Sequence, residues 1–140
     1  MLSLTTARRL RAAGLAWTPS LHDFFAIPDR GLDDRVFVIS DVSVDVELLQ
    51  SRSIVTFNGT SEWALDYEVM SELVWMPTEE QLRRQLEQHL ANSAPALALI
   101  HAPDGYGCQI QREGCLLAFR GAGASEAYAE ALLHVLGENR

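Results

Sequence analysis

Residues that could do chemistry begin with FRGAGASEAY, residues 119–128, where a strand-like run meets a glycine-rich turn and a helix-like run. A phosphate cradle lets backbone N–H groups at a helix N-terminus converge on an anion, with glycines allowing close approach. Gly121 and Gly123 would supply that approach, and Ser125 an N–H or hydroxyl. Three features count against it. The lysine of the nucleotide-binding loop is missing, Glu126 stands where the dinucleotide fingerprint needs a third small residue, and Glu130 adds negative charge one turn on. The preceding strand also belongs to a tight hairpin, whereas the dinucleotide site needs a parallel βαβ unit. The pattern predicts a crossover turn at Gly121 and Gly123, with Ser125 capping the last helix.

Cys108 and Cys115 flank the turn signal REG. A two-residue loop at Glu113-Gly114 pairs Arg112 with Cys115, and a three-residue loop pairs Gln111 with it. Neither register sets the two sulfurs face to face, so the expectation is two buried structural thiols, not a disulfide. The four histidines, His22, His89, His101 and His134, lack the H-x-x-x-H spacing of a metal site, and no C-x-x-C pair or G-x-S-x-G elbow accompanies them. Asp41, Ser43, Asp45 and Glu47 alternate along one strand face, with Asp33 and Asp34 upstream. Carboxylates two apart can flank a cation, but the glycine and spacing of a calcium loop are missing. That row reads as a solvated acidic face. No catalytic set, metal or cofactor is expected.

Aromatic residues offer contact, not chemistry. Phe24 and Phe25 are adjacent, so in a strand one of them faces away from the core. With Trp75 they are the expected partner-contact residues. A rival reading places a small-ligand or catalytic pocket near His101, Tyr106 and the Gly121–Gly123 turn.

The elements that must position these residues follow from periodicity. A first helix is expected from Ser3 to Gly14, with Leu4, Ala7 and Leu10 on one face. LHDFFAIP and RVFVIS flank the turn-rich PDRGLDD and predict a hairpin or longer β-connection. DVSVDVELL alternates strictly, and IVTFNG follows as another strand. Trp63, Tyr67, Met70 and Val74 recur at three or four, which predicts a helix from Thr60 or Ser61 to just before Pro77. TEEQ at 78–81 is a capping box opening a helix with a Leu82, Leu86, Leu90 stripe. ALALIH, YGCQIQ and CLLAFR are three strands. A last helix runs from Ser125 to Leu136, with Tyr128, Ala131, Leu132, Val135 and Leu136 facing the core. The order is αββββααβββα, a single α+β domain over 1–140 with antiparallel strands and about four helices.

Composition narrows the function class. The 140 residues carry 11 basic and 19 acidic side chains, a formal charge of −8, which disfavours binding to nucleic acid backbones. Arg8, Arg9 and Arg11 form the one basic cluster, expected on a solvated helix face. No run approaches the ~20 apolar residues of a membrane span. No apolar segment with a cleavage site opens the chain, and two cysteines do not make a secreted scaffold, so a cytoplasmic protein without membrane association is expected.

WTPSLHDFFAIP, VFVIS, EWALDY, VWMPTEEQL and SEAYAEALLHVL together resemble a group of small uncharacterised bacterial proteins, some carrying a pilus-assembly label. The resemblance covers most of the chain and implies no chemistry. The nucleotide-binding loop of the pilus-assembly ATPases has no counterpart here. The final βββα portion is similar to small phage-type α/β sandwich proteins. Small size, acidity and an α+β layout are similar to those of bacterial secretion chaperones. The functional expectation is a non-enzymatic, acidic homodimer that binds another protein as an adaptor or chaperone-like molecule.

Overall fold

The computed structural model describes residues 1–28, 35–39, 44–49, 52–57, 67–69, 73–91 and 97–137. Two compact units account for the chain contacts, Met1–Leu15 with Pro77–Arg140, and Ala16–Met76.

The first unit opens with α1 (Leu4–Ala12). Ser3 caps it by accepting the Thr6 N–H at 3.2 Å. Gly14, at φ 101°, ends it. That left-handed residue lets the Leu15 N–H reach the Leu10 carbonyl and the Gly14 N–H reach that of Arg11, both at 3.0 Å, closing the orphan carbonyls of the last turn. α2 (Glu79–His89) carries the expected capping box, with Thr78 and Gln81 bonded reciprocally at 3.2 and 2.9 Å. Its stripe of Leu82, Leu86 and Leu90 is fully buried. The opposite face holds the i,i+4 pairs Arg84–Glu80 and Arg83–Glu87.

β7 (Leu97–Ala102), β8 (Gly105–Arg112) and β9 (Cys115–Gly121) form an antiparallel meander. Leu97 and Leu99, Cys108 and Ile110, and Leu117 and Phe119 line up on one face through the pairs Leu99↔Cys108↔Phe119 and Leu97↔Ile110↔Leu117. α3 (Ala124–Leu136) lies against β8 and β9 on that face, and α1 and α2 pack against α3. α3 therefore buries more than one stripe: Ala127, Tyr128, Ala129, Ala131, Leu132 and Leu133 are all inside, while Val135 and Leu136 are half-buried. Polar bonds also tie α1 to α3. The Glu126 carboxylate accepts the Ser3 N–H at 2.9 Å and the Thr6 hydroxyl at 2.8 Å, and Arg9 makes a two-pronged bond to Glu130 at 2.6 and 3.3 Å.

The second unit holds two antiparallel sheets. β1 (Phe24–Ala26) sits between β2 (Phe37–Val38) and β6 (Val74–Trp75), with Phe25 opposite both Phe37 and Trp75. Trp17 covers this aromatic row, its ring 6.1 Å from Phe25 and 6.4 Å from Trp75. Phe25, Ile27, Ile39 and Leu73 form the core beneath. Asp23, 4% exposed, accepts the Trp17 indole N–H at 2.9 Å and the Ser20 N–H at 3.0 Å. β3 (Val44–Leu49), β4 (Arg52–Phe57) and β5 (Tyr67–Val69) make the other sheet.

The α+β class with antiparallel strands is as the sequence predicts. Helix number and order differ. Among the described residues there are three helices, in the order αββββββαβββα. The helix expected up to Pro77 is replaced by strands where it is described. Tyr67–Val69 pairs with β4 through Ile54↔Val69, and Val74–Trp75 pairs with β1. Aromatic and β-branched residues with a waiting strand neighbour favour the ladder over an isolated helical period. Trp63 and Met70, which helped set that period, lie outside the described residues, as do PDRGLDD beyond Pro28, Asp41 and Ser43. Among the described residues no helix is long and apolar enough to cross a membrane.

Candidate functional site

Two surfaces of the first unit stand out, one on each face of the β7–β8–β9 sheet. The first is a cleft where the helical layer stops short. β9 has seven residues and α3 thirteen. At about 3.3 and 1.5 Å per residue they span about 23 and 20 Å. α3 starts beyond one end of β9 and runs back along it, then ends at Gly137, at φ 91°. The last inward-facing pair of the hairpin, Arg112↔Cys115, is left without a helical cover. A cleft of about 390 Å³ results, lined by Arg112, Glu113, Cys115, Leu117, His134 and Val135. Glu113 and Gly114, at φ 53° and 79°, form the two-residue turn that fixes this register. The His134 ring lies 5.2 Å from that of Phe119.

The second surface is the sheet's other face. Side chains alternate, so Ala98 and Ile100, Gly107 and Gln109, and Leu116 and Ala118 turn away from α3. Ile100 is 45% and Leu116 65% exposed. The one charge on the outward side of these strands is Arg120, paired with Asp104 at 2.5 Å. Arg120, first by hydrogen bond and then by charge, holds the Asp104 carboxyl below its ordinary value.

The sequence-derived candidates are distributed as follows. Phe25 is fully buried in its aromatic row. Phe24, half-buried, is the outward member of the adjacent pair, beside Val38 at 44% exposure. Trp75 is half-buried, and its indole N–H is buried with no acceptor among the described residues. His101, Tyr106 and Gly121 do fall in one row across the sheet, through His101↔Tyr106↔Gly121, with the His101 and Tyr106 rings stacked at 4.6 Å. Gly121 leaves no room there: a Cβ on it would stand 2.5 Å from the Ala127 nitrogen.

The glycine-rich turn is a packing device. Gly123, not Ser125, is the N-cap of α3 and makes no side-chain cap bond; Ser125 lies within the first turn. The carboxylate in that turn, Glu126, is engaged with α1.

The two thiols are free and differ from each other. Cys108 is buried, and desolvation pushes its thiol up to about 11. Cys115, expected to be buried, is exposed because it stands on the uncovered rung. Sequence reading missed the meeting of Cys115, His134 and Arg112, which are spread over the last thirty residues. The available signal was length, since a thirteen-residue helix folding back on a seven-residue strand leaves the far rung bare. Among the described residues no group of three His, Cys, Asp or Glu could hold a metal ion. No protein-family model, curated protein or solved structure matches the chain.

Proposed function

We propose that this protein is a non-enzymatic, protein-binding homodimer, an adaptor or chaperone-like molecule, which self-associates through the outward face of β7–β8–β9. The supporting observation is the electrical neutrality of that face. Each chain carries −8, so two copies repel wherever acidic surfaces meet, and a like-charge approach across an interface is costly. The strip of Ala98, Ile100, Gly107, Gln109, Leu116 and Ala118 has no unpaired charge, and its two large apolar side chains are exposed. A solvated sheet face ordinarily carries polar alternation, and this one sets Ile100, Leu116 and small residues beside the uncharged Gln109 and Gln111. Ile100 and Leu116 stand on opposite edge strands and in different rows. A twofold axis across the small-residue centre sets each Ile100 against Leu116 of the other copy, the self-complementary arrangement a symmetric dimer requires.

Area sets the size class of the interface. Three strands at about 4.8 Å spacing and seven residues long cover roughly 300 Å². A standard interface takes about 800 Å² per partner. A face of that area is expected to hold a weak, reversible dimer. The small size, acidity and α+β layout resembling secretion chaperones support the same reading.

Light scattering on the eluting wild-type protein at about 100 µM should give a mass approaching twice 15.5 kDa. Ile100→Asp and Leu116→Asp should each return the single-chain mass while the chain stays folded by circular dichroism, because both side chains lie on the exposed face of the single chain. Variants that keep the wild-type mass would refute this surface.

A further inference from the structure

We infer that the cleft between the β8–β9 turn and the end of α3 is a binding site for a small zwitterion with an apolar group, of the α-amino-acid class. It lies on the helix-covered face of the sheet, opposite the proposed dimer surface, and does not depend on it.

Four observations converge. Arg112 is half-buried, lines the cleft, and has no hydrogen-bond or ion-pair partner among the described residues. A partly desolvated guanidinium without a counter-charge, in a chain with nineteen acidic residues, is a place for a carboxylate, which it can hold with two parallel N–H donors. Next to it in the turn stands Glu113, also without a partner among the described residues. α3 ends in the same cleft at Gly137. Gly137 N–H is shared by the Leu133 and His134 carbonyls at 3.1 Å each, which leaves the last carbonyls of the helix pointing outward with the negative end of the dipole. Glu113 and these carbonyls would repel a simple anion and suit an ammonium group. Leu117 and Val135 supply an apolar wall.

Neither an organic acid nor an amine alone uses both poles of this cleft. A zwitterion does, with its carboxylate on Arg112, its ammonium toward Glu113 and the helix end, and its side chain on Leu117 and Val135. The volume of about 390 Å³ falls within the usual range for small-molecule sites.

Cys115 is the reporter. It is exposed in the cleft, whereas Cys108 is buried and serves as an internal control of folding. The full chain is treated with iodoacetamide, and alkylation at each cysteine is followed by mass spectrometry. L-leucine at millimolar concentration should slow labelling of Cys115 several-fold. Hexanoate and pentylamine, which carry one charge each, should slow it by less than half as much. Arg112→Gln and Glu113→Gln should each abolish the protection while Cys108 stays unlabelled, and Arg112→Lys should restore part of it. Failure of leucine to protect would overturn the inference. So would equal protection by hexanoate, or protection that survives Arg112→Gln. Because alkylation is read at a single cysteine in either oligomeric state, a negative result here leaves the dimer reading intact, and a monomeric chain leaves this one intact.

Discussion

Replacing Gly121 by alanine should destabilise the protein, whereas replacing Gly123 by serine should not. A Cβ on Gly121 would lie 2.5 Å from the Ala127 nitrogen, 2.7 Å from the Glu126 Cβ and 2.8 Å from the Glu126 carbonyl carbon. Ordinary contacts lie at about 3.5–4.0 Å, so the first turn of α3 must withdraw from β9 by about 1 Å. Overpacking of this kind costs about 1–3 kcal/mol. The same withdrawal pulls Glu126 from the Ser3 N–H and the Thr6 hydroxyl, now at 2.9 and 2.8 Å. Loss of one charge-assisted bond adds about 1.5 kcal/mol or more. The lower entropy of an unfolded alanine chain returns about 0.5–1 kcal/mol, leaving a net loss of about 2–4 kcal/mol. At Gly123 a Cβ meets nothing within 4 Å, and φ is −125°. Serine there supplies the missing cap oxygen, for a change within about 0.5 kcal/mol of zero. Denaturant midpoints of the two variants at equal m-value are the assay. Equal losses would refute the steric account of this turn, since only Gly121 lies under the helix.

Burial of Cys108 makes stability fall with alkaline pH. Its thiol is held neutral up to about 11, against an ordinary value of 9.0. Between those values the unfolded chain releases a proton that the folded chain keeps. The contribution is whole below pH 9 and is lost on the way to pH 11, worth on the order of 1–3 kcal/mol. Denaturation midpoints between pH 8 and 10.5 should decline less steeply for Cys108→Ala than for wild type, and parallel slopes would contradict the burial. Asp23→Ala should cost about 2–4 kcal/mol by stranding the Trp17 indole and Ser20 N–H donors, with Asp23→Asn costing less because one acceptor oxygen remains. A wild-type denaturation midpoint for Asp23→Ala would show that the two donors find other partners.

What the sequence made legible was local chemistry. The TEEQ capping box, the Gly14 stop and the Leu82–Leu86–Leu90 stripe each state their structure within a turn or two of helix. The REG turn was legible too, but its length was open between two and three residues, and the Arg112↔Cys115 register came from the structure. At 67–69 and 74–75 helical spacing and strand-forming residue types coincide, and the pairing that decides for strands lies in β4 and β1, far away in the chain. Phe24 and Phe25 show the same limit. Adjacency tells that one points inward, and only the aromatic row with Phe37, Trp75 and Trp17 tells that it is Phe25. The cleft needed the tertiary placement of α3, because Arg112, Cys115 and His134 meet only once the helix is laid back along β9. The neutrality of the outward sheet face needed the register, because LALIHA, GYGCQIQR and CLLAFRG show no common face until they are laid side by side.

Sedimentation equilibrium of the wild-type chain over about 5–200 µM, in dilute and in roughly 0.5 M sodium chloride, tests self-association through an uncharged face. Salt shortens the reach of the repulsion between two copies of net charge −8, so the mass should climb toward twice 15.5 kDa with concentration and climb sooner in high salt. A single-chain mass throughout, or a dimer that salt takes apart, would contradict the account.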